Sequence, residues 1–149
     1  MIKKIVFSLL FLLTIQTYSQ KQKINNYKYV LVPDRFEFVK KSDQYQTSSL
    51  TKFLLKKKGF TVFLSNEKLP NELLTNRCMA ITASVNDESS MFTVKQNITL
   101  KDCFGNILYT SGVGKSKAKE FKKAYHEAIR KAYGTMSELE YKYEPLVKE

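Results

Sequence analysis

The sequence predicts an α+β fold. A βαβ unit leads into a three-stranded antiparallel meander and a C-terminal helix, with both helices on one face of a mixed five-stranded sheet. Three patterns carry this reading. Two β-rich runs, Tyr27–Val32 and Phe60–Ser65, enclose a segment with Leu50, Phe53, Leu54 and Lys57 at helical spacing, closed by Gly59. From Cys78 to Lys101 the chain alternates apolar and polar residues twice, around a polar link. After Gly112 an apolar stripe returns at a period of 3.6.

Each element has its own signals. Tyr27, Tyr29 and Leu31 alternate with Lys28, Val30 and Val32 until Pro33, which has no N–H to give a ladder. Phe36-Glu37-Phe38 is either a strand extension or a loop that packs two rings on the core. Asp43 and Gln46 stand at capping-box spacing, so the first helix is expected over Gln44 to Lys58, with Lys56, Lys57 and Lys58 complementing its dipole. The short path from strand to helix to strand makes the first two strands parallel, with a right-handed connection. Pro70 opens a short helical turn through Leu74 that reads as a connector.

In the hairpin, Met79, Ile81, Ala83 and Val85 are expected to share the dry face with Phe92, Val94, Ile98 and Leu100. Asn86 to Ser90 link the two strands, and Cys103-Phe104-Gly105-Asn106 turns the chain into a third, Ile107 to Ser111. The last helix is expected from Lys117 to Leu139, with a break allowed at Gly134. Its dry stripe would be Phe121, Tyr125, Ala128, Ile129, Ala132 and Met136, with Lys119, Lys122, Lys123, His126 and Arg130 facing away.

The ends carry an address. Residues 1–19 have the parts of a secretory signal: Lys3 and Lys4, an apolar run from Ile5 to Ile15, and small residues Thr17 and Ser19 before an expected cleavage at Gln20. That run is shorter than the roughly 20 residues a spanning helix needs, so no transmembrane span is expected after cleavage. The first cysteine is Cys78, too distant for an acyl anchor. Residues 20–26 read as a disordered segment, residues 27–139 as one domain, and residues 140–149 as a charge-alternating tail that need not be ordered. The expected location is periplasmic or secreted.

Removing Lys3 and Lys4 takes the formal charge from +11 to +9, which favours anionic partners. Outside the cytoplasm these are an anionic envelope component or an acidic protein surface, and nucleic acid is not expected. The candidate binding residues are Lys115 and Ser116, in the loop Gly112 to Ser116, with Lys119, Lys122, Lys123 and Arg130 on the helix. A solvated amphipathic helix accounts for the helical cations equally well. The loop is no P-loop, because Tyr109 stands where the first glycine is required. The alternative function is an enzyme or binder acting at this loop on a phosphorylated or acidic ligand held by its free N–H groups.

Cys78 and Cys103 are expected to form a disulfide if they lie directly opposite, and to be diagonal and too distant if Cys78 opposes Lys101. Two cysteines and the single histidine, His126, fall short of a four-ligand zinc site, so no metal and no cofactor is expected. His126 has no nucleophile placed beside it, and Asp34, Glu37, Asp43, Asp87 and Asp102 suit caps and turns. No catalytic residues are assigned.

This order of elements resembles the small α+β domains of envelope accessory proteins, such as the N-terminal domain of the Tol-system propeller protein and the curli-secretion lipoprotein. Val32-Pro33, Leu50, Leu54 and Gly59-Phe60 carry one echo; Asp102, Gly105, Gly112 and Ala124, Ala128, Ala132 carry another. The strings VPDRFEF, DQYQ, LTKFLLKKKGF and LKDCFGNILYTSGVGKS are similar to small exported proteins of Bacteroidota type. The resemblance implies a scaffold, a compartment and a binding role, although the lipid-bearing cysteine of many such proteins is missing here.

Overall fold

Strand β1 (Tyr29–Val32) pairs in parallel with a strand on either side, and each of its faces packs on its own hydrophobic cluster, Val30 and Val32 in one and Tyr29 and Leu31 in the other. Val30 opposes Val62 of β2 (Thr61–Leu64) and Ile81 of β3 (Ala80–Asp87). A computed structural model describes residues 24–146; the expected signal at 1–19, the segment 20–23 and the last residues, 147–149, lie outside the described residues. β3 continues antiparallel into β4 (Val94–Lys101), and β4 pairs with β5 (Ile107–Thr110) along one half and β6 (Gly114–Ser116) along the other. The lane order is β2-β1-β3-β4-β5, with β6 continuing the β5 lane, so the mixed α+β sheet is five lanes wide.

Helices α1 (Thr47–Lys57) and α3 (Phe121–Gly134) cover one face. Leu50, Leu54 and Leu55 of α1 and Ala124, Ala128, Ile129 and Ala132 of α3 are buried, in a core with Val30, Val32, Ile81, Ala83, Ile98 and Leu100. The small helical residues bring α3 close to the sheet. The short helix α2 (Asn71–Thr75), expected as a mere connector, covers the opposite face at β1. There Leu69 and Leu73 bury Tyr29 and Ala80 in a second cluster, and Glu72 accepts from Lys28 Nζ at 2.6 Å and from Tyr29 Oη.

The start of α1 departs from the expected capping box. Asp43 (φ 46°), Tyr45 (φ 57°) and Gln46 (φ 57°) all take left-handed backbone, so a 3-10 turn over Gln44–Gln46 precedes the helix and Gln46 cannot reach back to cap it. Such residues cost on the order of 1 kcal/mol or more each, so surrounding bonds must hold them. Asp43 instead receives Ser49 N at 2.8 Å together with Ser49 Oγ, and its own N–H donates to Asp34 O at 2.5 Å. His126 Nε2 lies 2.6 Å from Tyr45 O. A carbonyl only accepts, so Nε2 carries the proton. His126 is therefore half-buried and pinned to this turn, not displayed on a solvated face as expected.

α3 starts later than expected and ends at the glycine where a break was allowed. Its first turn waits until Phe121, after Ala118 N has bonded Ser116 Oγ at 3.2 Å, and it closes at Gly134. Tight turns then carry Met136 and Leu139 into the core. Phe121, expected in the dry stripe, is 61% exposed.

The flanks expected to lie outside the domain pack against it. Ile24 is buried in the main core, and Glu144 N donates to Asn25 O at 2.8 Å. Tyr141 stacks on Phe60 with ring centroids 4.1 Å apart and donates its hydroxyl to Tyr27 O at 2.6 Å. Burial is the main reason its phenol is pushed up to about 12 from the ordinary 10. The folded state thus favours the neutral phenol. That contribution is complete below pH about 10 and is lost as pH rises from about 10 to about 12. Denaturant titrations across this range should show the native protein losing stability more steeply than Tyr141→Phe; equal slopes would contradict the burial.

The disulfide Cys78–Cys103 is present, with Cα atoms 5.1 Å apart. The expected geometry was otherwise. Thr82 opposes Lys101, a register whose continuation sets Ala80 opposite Cys103 and leaves Cys78 diagonal. The ladder does not continue: a 3-10 turn at Arg77–Met79, where Cys78 N donates to Asn76 Oδ1 at 3.1 Å, curls Cys78 back to its partner.

Candidate functional site

The structure divides the sequence-predicted binding residues among separate places. In β6, Lys115 points to the polar face of the sheet, directly across from Lys95. Ser116 points the other way and is buried, its Oγ donating to Glu127 Oε2 at 2.6 Å. Gly112 N donates to Thr135 Oγ1 at 2.7 Å, and Lys131 Nζ donates to Lys115 O at 2.8 Å. Gly114 lies flat under α3, where an added Cβ would come within 1.9 Å of Ala128 O. Gly114–Ser116 are thus a strand wedged beneath a helix that starts only at Phe121, and Gly112 N before it is engaged by Thr135.

Lys119, Lys122 and Lys123 are exposed around the start of α3. Arg130 is also exposed, but lies about 12 Å further along the axis than Lys122. The ring of Tyr133 is already engaged, with Lys58 Nζ 5.7 Å from its centroid.

What the start of α3 borders was not foreseen. The tip of the β3–β4 hairpin lifts Met91 and Phe92 into solvent at 88% and 83% exposure, so Phe92 is not on the dry face where parity placed it. The tip is a built turn. Glu88 N donates to Lys95 O at 2.8 Å, Ser90 N to Thr93 O at 2.9 Å, and Lys95 N to Ser89 Oγ at 3.1 Å. Between the tip and α3 lies a cleft of about 550 Å³, bordered by Met91, Phe92, Lys117, Lys119, Phe121 and Tyr125. Below it Tyr125 gathers rings: Phe38, Tyr45 and Phe121 have centroids 5.0, 5.7 and 6.1 Å from its own. Burial first, and Asp87 second, hold the Tyr125 phenol above its ordinary range.

Three apolar side chains exposed beside two lysines form an amphipathic end. It suits a surface that offers both negative charge and an apolar layer. The adjacent Met91-Phe92 inside an otherwise polar link was the sequence signal for it. Among the described residues no three His, Cys, Asp or Glu side chains gather, and no helix is long and apolar enough to cross a membrane.

No family model and no curated protein matches the chain. Among solved structures it is similar to a methionine-substituted PelC dodecamer from Paraburkholderia phytofirmans, with a TM-score of 0.48 and 13% identity over 78% of this chain and 91% of that one. A second crystal form of the PelC dodecamer from the same organism gives a TM-score of 0.45 and 14% identity, over the same shares.

Proposed function

We propose that the chain is a non-enzymatic, extracytoplasmic binding module of the bacterial cell envelope, of the kind seen in small exported Bacteroidota proteins. Its partner is an anionic surface of lipid headgroups, and it docks there with its amphipathic end. The observation that carries the reading is the outward projection of Met91, Phe92 and Phe121 beside Lys117 and Lys119. Lys122 and Lys123 are exposed in the first turn of α3. The disulfide supports an oxidising compartment. The rival site at Gly112 to Ser116 gains nothing from the geometry, since Gly112 N and Ser116 Oγ are engaged within the fold.

Each lysine near an anionic leaflet contributes about 1 kcal/mol, and each buried methylene about 0.8 kcal/mol. Several such terms suffice for reversible peripheral binding. In co-sedimentation, the protein should partition onto vesicles containing phosphatidylglycerol and not onto vesicles of phosphatidylcholine alone. Both Met91→Ser with Phe92→Ser and Lys117→Glu with Lys119→Glu should weaken binding about tenfold or more. Arg130→Glu should change it little. Equal binding to neutral vesicles, or indifference to both double variants, would refute the reading.

A further inference from the structure

A second cleft lies at the end of the sheet, where β1 stops short. The parallel ladder of β1 and β3 ends at Leu31 and Thr82, and Pro33 brings no N–H to extend it. β3 runs on to Asp87. Glu88 N bonds Lys95 O, and antiparallel alternation then turns the main-chain groups of Ser84 and Asn86 toward β4. Those of Val85 and Asp87 turn the opposite way, into the lane that β1 has left. A cleft of about 430 Å³ fills that lane, with Val85 and Asp87 in its floor.

The surroundings shape the lane. Phe36, buried, and Phe38, half-buried, stack with centroids 5.7 Å apart and give it an apolar wall. Arg35, Glu37 and Lys101 give it a charged rim, and none of the three forms an ion pair among the described residues. The wall is fixed. Asp34 accepts from Ser42 Oγ at 2.7 Å and from Ser65 Oγ at 2.8 Å, which hold its carboxyl below the usual range and tie the loop to the end of β2. The chain leaves β1 toward α1 on one face and reaches β3 from α2 on the other.

We infer that this lane binds a short extended peptide segment of a partner protein, added beside β3 as a strand at Val85 and Asp87. Main-chain pairing supplies the affinity. One side chain of the segment rests on Phe36 and Phe38, and the next, of opposite parity, meets the rim, where Arg35 and Lys101 select a carboxylate. The inference is independent of membrane docking, although both clefts lie at the hairpin-tip end of the sheet: Phe38 of the lane wall has its ring centroid 5.0 Å from that of Tyr125, which borders the other cleft.

The probe is acetyl-Ser-Val-Glu-Val-Ser-amide, titrated into the full chain and followed by amide NMR shifts and hydrogen exchange. The Val85 and Asp87 amides should shift, and their exchange should slow by more than tenfold at saturation. Two N-methylated versions, blocked at alternate amides in the two possible phases, should behave differently: one should lose binding and the other keep it. Arg35→Glu with Lys101→Glu, both away from the core, should weaken the peptide about tenfold while a lysine-centred version gains. Equal binding of the two N-methyl phases, binding that leaves Val85 and Asp87 unmoved, or no binding would overturn the inference. So would slow exchange of both amides in the peptide-free chain, which would mean that a segment of this chain or a second copy fills the lane.

Discussion

Gly114→Ala should be the most damaging single-atom addition in the domain. The new Cβ would meet Ala128 O at 1.9 Å, Ala132 N at 2.5 Å and Ala128 C at 2.9 Å, all backbone of α3. No side chain can swing aside there, so the helix itself must lift. α3 seals Ile98 and Leu100 with Ala124, Ala128, Ile129 and Ala132, and lifting it loosens the whole central core. Overpacking costs typically 1–3 kcal/mol and more where the backbone must move, so a loss of about 3 kcal/mol or greater is expected. Gly134→Ala is the matched control. Nothing lies within 4 Å of its Cβ, and exchanging glycine for alanine at a helix end should leave stability unchanged or raise it by up to about 1 kcal/mol. Denaturant midpoints of the two variants check this, and similar midpoints would contradict the close approach of β6 to α3.

Opening the disulfide is the second large effect. Cys78 and Cys103 are separated by 25 residues, and closing a loop of that length stabilises by about 3.5 kcal/mol on the chain-entropy estimate. The loop contains β3 and β4, the strands that bear Ile81, Ala83, Val85, Ile98 and Leu100. Cys78→Ser with Cys103→Ser should therefore lower the thermal midpoint by about 15 °C. Reductant should reproduce most of that loss in the native chain and none of it in the double variant. A double variant as stable as the native protein would mean that the turns alone hold the two ends of the hairpin.

Alternation made the hairpin legible, because each of its strands has one dry and one wet face: Ala83 and Val85 lie opposite Leu100 and Ile98 as their parity requires. The same rule failed at Phe92, since parity continues past the point where a ladder ends, and β4 begins only at Val94. It also passed over Gln96, which occupies the dry face, fully buried, with Nε2 3.3 Å from Asp87 Oδ1. β6 was not legible. Gly114-Lys115-Ser116 has no strand propensity, and its pairing with Val94–Gln96 is decided by the helix that presses on it. Gly114 supplies room for the Ala128–Ala132 backbone, which no pattern within the segment announces.

Lysine density drew attention to the start of α3, where Lys119, Lys122 and Lys123 are indeed exposed. Composition could not show that the hairpin tip brings Met91 and Phe92 to the cleft that Lys117 and Lys119 border, because that contact spans distant segments. His126 and Asp43 show the same limit. Their roles are fixed by the left-handed turn at Asp43, Tyr45 and Gln46, and no local pattern announces such a turn in residues other than glycine.

The chain has no tryptophan, so Phe92→Trp would report on the hairpin tip alone. With phosphatidylglycerol vesicles its emission should move to shorter wavelength and be quenched by brominated acyl chains, while phosphatidylcholine vesicles should leave it unchanged. An emission that stays that of a water-exposed indole on anionic vesicles, with the protein bound or not, would contradict docking through the amphipathic end.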